Sequence, residues 1–201
     1  MVLVGLTGGM GAGKSTVARM LAARGAVIVD ADELAARALE PGTRSYERVC
    51  ELFGDDIVRP DGSLDRTAIA DRVFADPEKR RALESIVHPE VFRGLAETVE
   101  ARRESDDVLV FDVPLLVETG FHDAVDVVVV VVAPEEEQVA RAMRDRGISR
   151  PEAAARIAAQ VSQAQREAAA DVVLRNDGDL DSLEAQVDGV WADLRRQAEA
   201  S

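Results

Sequence analysis

Cysteine is almost missing from this chain of 201 residues, where Cys50 stands alone. A single thiol cannot form a disulfide within one molecule, so a reducing cytoplasm is the natural setting and Cys50 reads as helix packing, not as a nucleophile. The N-terminal segment lacks the charged start and unbroken apolar run of a secretion signal, because glycines interrupt it within the first nine residues. Long hydrophobic runs are missing too: Val125 to Ala133 falls far short of spanning length and contains Asp126. Positive charge is scarce. A formal charge of −14 argues against nucleic acid as a partner, which calls for a broad basic face, so any anionic ligand has to meet locally concentrated positive charge. Neither an Asp-x-x-Gly switch nor an Asn-Lys-x-Asp base-reading motif occurs, which makes a GTPase of this size a poor fit. No internal repeat, low-complexity linker or independent second core is visible. With 47% hydrophobic residues the chain has enough apolar material for one α/β domain over residues 1–201.

What the chain does have begins at residue 8. Gly8-Gly9-Met10-Gly11-Ala12-Gly13-Lys14-Ser15 fills the G-x-x-x-x-G-K-[ST] template of a phosphate-binding loop, with the apolar run Val2 to Leu6 before it and the helical composition of Ser15 to Ala23 after it. Glycines let successive backbone N–H groups turn inward toward phosphate oxygens, and the helix start adds the positive end of its dipole. Lys14 is one of only two lysines, Lys79 being the other. It is placed to reach the β- and γ-phosphates of ATP, the Ser15 hydroxyl to ligate Mg²⁺, and Thr16 to add an α-phosphate contact. Gly9, Met10, Gly11, Ala12, Gly13, Lys14, Ser15 and Thr16 are therefore the expected ATP-binding residues.

The rest of the chain alternates strand and helix signals. Val2 to Leu6, Ala26 to Asp30, Val108 to Val113, Val125 to Val132 and Val172 to Leu174 are rich in β-branched residues and mostly apolar on both faces, as in a covered parallel sheet. The expectation is a P-loop NTPase fold of the α/β class: five parallel strands flanked by helices, a helical acceptor-binding insertion at about 33–106 and a lid at about 141–166. Asp65 and Asp76-Pro77 read as helix starts, and Ser149-Arg150-Pro151-Glu152 reads as a capping box. Leu183, Val187, Val190, Trp191 and Leu194 form one apolar face of a C-terminal helix that packs on the sheet.

An insertion after the second strand gives a kinase a place for its acceptor, and the acceptor hydroxyl needs a positioned base. Asp32, in Asp30-Ala31-Asp32 at the end of that strand, would lie near the loop if the first two strands flank one crevice. Its alternative is an N-cap for the helix from Glu33, and both roles can hold together. Asp112, closing the third strand, reads either as a Walker-B-like group for Mg²⁺ or as a polar strand end. Arg141, Arg144, Arg146 and Arg150 follow the fourth strand, where a lid could carry a guanidinium to the γ-phosphate, Arg141 being the first choice. The alternative for these arginines is a solvated face paired with Glu135, Glu136 and Glu137.

In this order the residues resemble the bacterial dephospho-coenzyme A kinase family along almost the whole chain. The matching pieces are Gly5-Leu6-Thr7-Gly8-Gly9, Asp30-Ala31-Asp32, Leu64-Asp65-Arg66, His88-Pro89, Pro114-Leu115-Leu116-Val117-Glu118, Arg141, Gln160, Arg166, Ala170-Asp171 and Asn176. The resemblance implies transfer of the ATP γ-phosphate to the ribose 3′-hydroxyl of dephospho-coenzyme A, the last step in making coenzyme A. It implies Asp32 as base, Lys14 as phosphate clamp and Arg141 as lid arginine. Leu115 and Leu116 would line the acceptor site, Glu118 would fix its geometry, and Arg66 and His88 would be acceptor-binding residues. His88 has an equal alternative in capping or bracing a helix. His122 carries no motif and reads as a surface residue. The chain departs from the family pattern at Met10, where a β-branched residue is usual, and at Ala12, where serine is frequent; neither changes the atoms the loop needs. No nucleic-acid or membrane partner is expected, and the protein is expected to be a monomer or a weak homo-oligomer.

Overall fold

Valine runs that are apolar on both sides make the centre of the molecule. In the computed structural model, which describes residues 1–200, β1 (Val2–Gly8), β3 (Val108–Asp112) and β4 (Val127–Val132) are buried at every position. That burial is why they show no alternation of apolar and polar residues. With β2 (Val27–Asp30) and β5 (Val172–Arg175) they form a parallel five-stranded sheet in the order β2-β3-β1-β4-β5. The register sets Leu6 beside Asp112 and Gly8 beside Val131. Carboxylates fix two strand starts: Asp126 accepts the Leu3 N–H and Asp171 accepts the Val128 N–H, each at 2.8 Å. Asp171 of the Ala170-Asp171 pair is thus a strand clamp.

Helix α1 (Lys14–Ala23) packs with α9 (Leu180–Ala200) against one face of the sheet. Val17 and Leu21 meet Leu183, Val187 and Leu194 there, as the apolar face of the C-terminal helix requires. After β4 come α6 (Glu135–Arg146), α7 (Arg150–Ala158) and α8 (Gln163–Ala168). Ser149 caps α7 by accepting the Glu152 N–H, but the reciprocal half of the expected capping box goes elsewhere, because the Glu152 carboxylate pairs with Arg156. The complete box forms one helix later, between Ser162 and Gln165.

The chain divides into two compact units, one holding the sheet from Met1–Val29 with the residues from Arg102 onward, the other Asp30–Ala101. The second unit contains α2 (Ala31–Ala38), α3 (Arg44–Phe53), α4 (Arg66–Ala75) and α5 (Pro77–Ala101). Here the structure corrects the expectation of no second core. Val49, Phe53, Ile57, Leu64, Ile69 and Ile86 form a cluster of their own, with Cys50 packed at its edge. These residues are spread over two short helices, a turn and one position of the long α5, so no single periodic stretch announces them. Asp65 caps α4 through the Thr67 and Ala68 N–H groups, and Asp76 caps α5 through those of Glu78 and Lys79. Among the described residues no helix is long and apolar enough to cross a membrane.

Candidate active site

The glycine loop joins the end of β1 to the first residue of α1. Gly13, the N-cap, has φ of 100°, a left-handed conformation that a side chain would strain. Space forbids one as well, since a Cβ there would lie 2.1 Å from Asn176 Nδ2. That amide donates to the Ala12 carbonyl at 2.8 Å and so braces the loop from the segment after β5. No acidic residue occupies the first turn of α1, which leaves its positive end unneutralised for an anion.

Lys14 pairs with Asp112, both side chains largely buried. The pairing follows from register, because Asp112 lies beside Leu6 on the neighbouring strand. Ser15 is exposed at the helix start. The Thr16 hydroxyl accepts from Arg19 Nη2 at 3.2 Å. The Met10 N–H donates to Gln160 Oε1 at 3.0 Å, while the Met10 side chain packs among Val139, Ala142 and Ala153 of α6 and α7. The Met10 side chain is thus an apolar anchor, while its backbone N–H is held by Gln160.

Arg141 is the one member of the arginine series that bonds to the loop. Its Nη1 reaches the Gly11 and Ala12 carbonyls at 3.3 and 3.4 Å, its Nη2 reaches the Asn176 carbonyl at 3.2 Å, and Glu137 pairs with it one turn back. Arg144 and Arg150 instead pair with Asp145 and Glu136 on exposed faces, which is the solvated alternative.

The capping alternative for Asp32 does not hold. The N-cap of α2 is Asp30, whose Oδ1 accepts the N–H groups of Asp32 and Glu33 at 2.8 and 3.2 Å. Asp32 therefore stands in the first turn with an exposed carboxylate that caps nothing. The premise that β1 and β2 flank one crevice also needs correction, because β3 lies between them. Arg66, first in α4, is exposed. His88 lies in the middle of α5, so it caps no helix, and its ring tilts against Phe92 at 6.2 Å.

The segment after β3 splits its two leucines. Leu115 is 43% exposed, but Leu116 is fully buried with Val128, Val130 and Val132, so Leu116 supports the segment from below and is not a lining residue. Glu118 Oε1 accepts from Arg166 Nη2 at 3.0 Å. His122 is no simple surface residue: it is half-buried, its Nδ1 is sealed without a partner, and its Nε2 lies 3.7 Å from Asp123. Sequence reasoning passed over Gln138, buried beside Gly9 with its amide donating to the Ala133 carbonyl at 2.7 Å. A glutamine among three glutamates at a helix start gave no signal.

No group of three or more His, Cys, Asp or Glu side chains is gathered to hold a metal among the described residues. The donor set at the loop, the Ser15 hydroxyl with the Asp112 carboxylate, suits Mg²⁺ bound chiefly through phosphate oxygens, since that ion takes few protein ligands.

A glycine loop between strand and helix, a lysine opening that helix, and Gln160 and Arg141 bonded onto the loop define a P-loop nucleotide-binding protein. A profile of the dephospho-CoA kinase family matches residues 2–182, and the chain belongs to that family. It is 48% identical over 198 residues to a dephospho-CoA kinase of Streptomyces avermitilis, covering 98% of this chain and 96% of that one. A dephospho-CoA kinase of Methylococcus capsulatus is 50% identical over 190 residues, covering 94% and 95%. Among solved structures, TT1252 from Thermus thermophilus aligns with a TM-score of 0.83 at 41% identity over 96% of this chain and 97% of its own. The fold alone is shared with shikimate kinase from Acinetobacter baumannii, at a TM-score of 0.55 and 18% identity over 98% and 94% of the two chains.

Proposed function

We propose that this kinase transfers the γ-phosphate of ATP to the ribose 3′-hydroxyl of dephospho-coenzyme A, giving coenzyme A and ADP. The observation that carries the reading is the braced loop with Lys14 at its end, joined to a family match over nearly the whole chain. Loop N–H groups and the α1 dipole receive the phosphates, and Lys14 exchanges Asp112 for the β- and γ-oxygens. Asp32, left free because Asp30 does the capping, accepts the proton of the 3′-hydroxyl as that oxygen bonds to phosphorus and the bond to the ADP oxygen breaks.

Ser15 and Asp112 would hold Mg²⁺, which would supply positive charge to the triphosphate during transfer. Arg141, now on the loop carbonyls, is the lid group that stabilises the transferring phosphoryl. Arg66 and His88 are assigned to the acceptor's phosphates, and the segment carrying Leu115 and Glu118 to the acceptor side of the transfer. The protein works in the cytoplasm as a monomer or weak homo-oligomer, with neither nucleic acid nor membrane as partner. ADP release from ATP and Mg²⁺ tests this reading, measured with dephospho-coenzyme A, AMP, adenosine or shikimate. Stimulation by dephospho-coenzyme A alone is expected; stimulation by a rival acceptor alone would replace the substrate assignment.

A further inference from the structure

A buried cation lies against the start of the phosphate loop. Arg166 of α8 is 5% exposed. A Cβ placed on Gly9 would lie 3.2 Å from Arg166 Nη1, 2.9 Å from Gln138 Oε1 and 3.5 Å from Gln160 Oε1. A side chain at position 9 would crowd the Gln138 amide most closely and press on the Arg166 guanidinium, so glycine gives these side chains room beside the loop. The guanidinium also donates to Glu118, in the segment that follows β3, at 3.0 Å. One side chain from the region 141–166 thus bonds to the segment carrying Leu115 and lies close beside Gly9 of the loop.

The pair is poorly satisfied for a buried one. Arg166 Nε and Glu118 Oε2 are both sealed from solvent and have no hydrogen-bond partner. A guanidinium and a carboxylate can bond through two parallel contacts, yet here one is made. Buried ion pairs recover their desolvation cost only when geometry is good and remaining valences are filled, and apolar replacements of both partners are often neutral or stabilising. Stability alone is therefore a weak reason for Arg166 and Glu118.

We infer that Arg166, acting through Glu118, is a positioning residue that holds the segment 114–120 in register with Gly9 of the phosphate loop, so that the acceptor meets the γ-phosphate in line. The inference rests on the proposed reading of that segment as the acceptor side. It assigns to Arg166 no contact with substrate. Its effect falls on alignment, where a displacement of about 1 Å costs roughly 10²-fold in rate. ATP affinity depends on the loop N–H groups and Lys14, which the pair does not replace.

The test compares the parent with Arg166→Met, Glu118→Gln and the double variant Arg166→Met/Glu118→Met, reading melting temperature, ATP Kd, and kcat and KM with dephospho-coenzyme A. The double variant is expected to melt within a few degrees of the parent or above it, to bind ATP within about 3-fold, and to lose about 10-fold or more in kcat. Each single variant is expected to lose nearly as much as the double, because the two residues act as one unit. Undiminished kcat in a folded double variant, kcat losses that add independently, or a loss of ATP affinity matching the loss of kcat would each overturn the inference. A parent protein without dephospho-coenzyme A-dependent ADP release would overturn the substrate reading and this inference with it. An active parent beside an undiminished double variant would overturn the inference alone.

Discussion

The phosphate loop and the helical unit Asp30–Ala101 are held in opposite ways. Polar side chains from distant parts of the chain grip the loop: Gln160 at Met10, Asn176 at Ala12, and Arg141 at Gly11 and Ala12. The helical unit rests on a small apolar cluster and on carboxylate helix caps at Asp30, Asp65 and Asp76. Its candidate site residues Asp32 and Arg66 are exposed. The loop is thus braced in one shape, whereas the helical unit leaves the side chains proposed to meet the acceptor, Asp32 and Arg66, exposed. Substitutions should divide accordingly, with loop changes touching nucleotide binding or, at Lys14, the transferring group itself, and changes at Asp32 touching turnover alone.

The largest expected effect is at the loop. Lys14→Ala should lower turnover by roughly 10²-fold or more, since it removes a preorganised charge from the transferring group. Near-normal turnover in steady-state assays would remove Lys14 from the chemistry. Asp32→Asn sharpens the comparison from the other side: kcat should fall by about 10²-fold or more while ATP Kd stays within a few fold, because only the proton acceptor is lost. If calorimetry showed ATP affinity falling in parallel, the division between the two regions would fail.

Smaller effects follow from the supports. Asn176→Ala removes the brace at Ala12 and should weaken ATP binding by about 10-fold, on the scale of one lost hydrogen bond, with little change in kcat at saturating ATP. Ile57→Ala, at a fully buried position of the helical cluster, should cost about 2–5 kcal/mol in thermal or denaturant unfolding. A cost confined to a few tenths would mean the cluster is not a core. The smallest effect concerns acid. The Ala68 N–H, and then the Arg59 ion pair, hold the Asp65 carboxyl below its ordinary range. Its contribution to stability is fully present above about pH 4 and fades as pH falls through the lowered folded value. Asp65→Asn should therefore flatten the acid limb of a melting-temperature profile, and an unchanged limb would remove Asp65 from it.

Much of this was legible in the chain. Every strand falls within two residues of its expected bounds, because both-sided burial writes unbroken apolar runs for β1, β3 and β4 and the half-buried edge strands β2 and β5 are still rich in valine. The loop was legible because its chemistry is local: glycines, lysine and serine lie in one stretch of eight residues. Strand order was not, since β3 enters between β1 and β2 through pairings about a hundred residues apart in sequence. That pairing also brings Asp112 to Lys14. Asp30 and Asp32 look alike in sequence, and only backbone geometry decides which one caps α2 and which stays free. The two adjacent leucines, Leu115 and Leu116, are likewise separated only by which way the turn after β3 faces them.

The most direct test of the central claim is the position of the phosphate in the product formed from ATP, Mg²⁺ and dephospho-coenzyme A, read by phosphorus NMR. The account predicts a single phosphomonoester on the ribose 3′-oxygen, formed in step with ADP, its formation slowed by about 10²-fold or more in Asp32→Asn. A phosphate on another hydroxyl, or ADP formed with no phosphorylated acceptor, would contradict it.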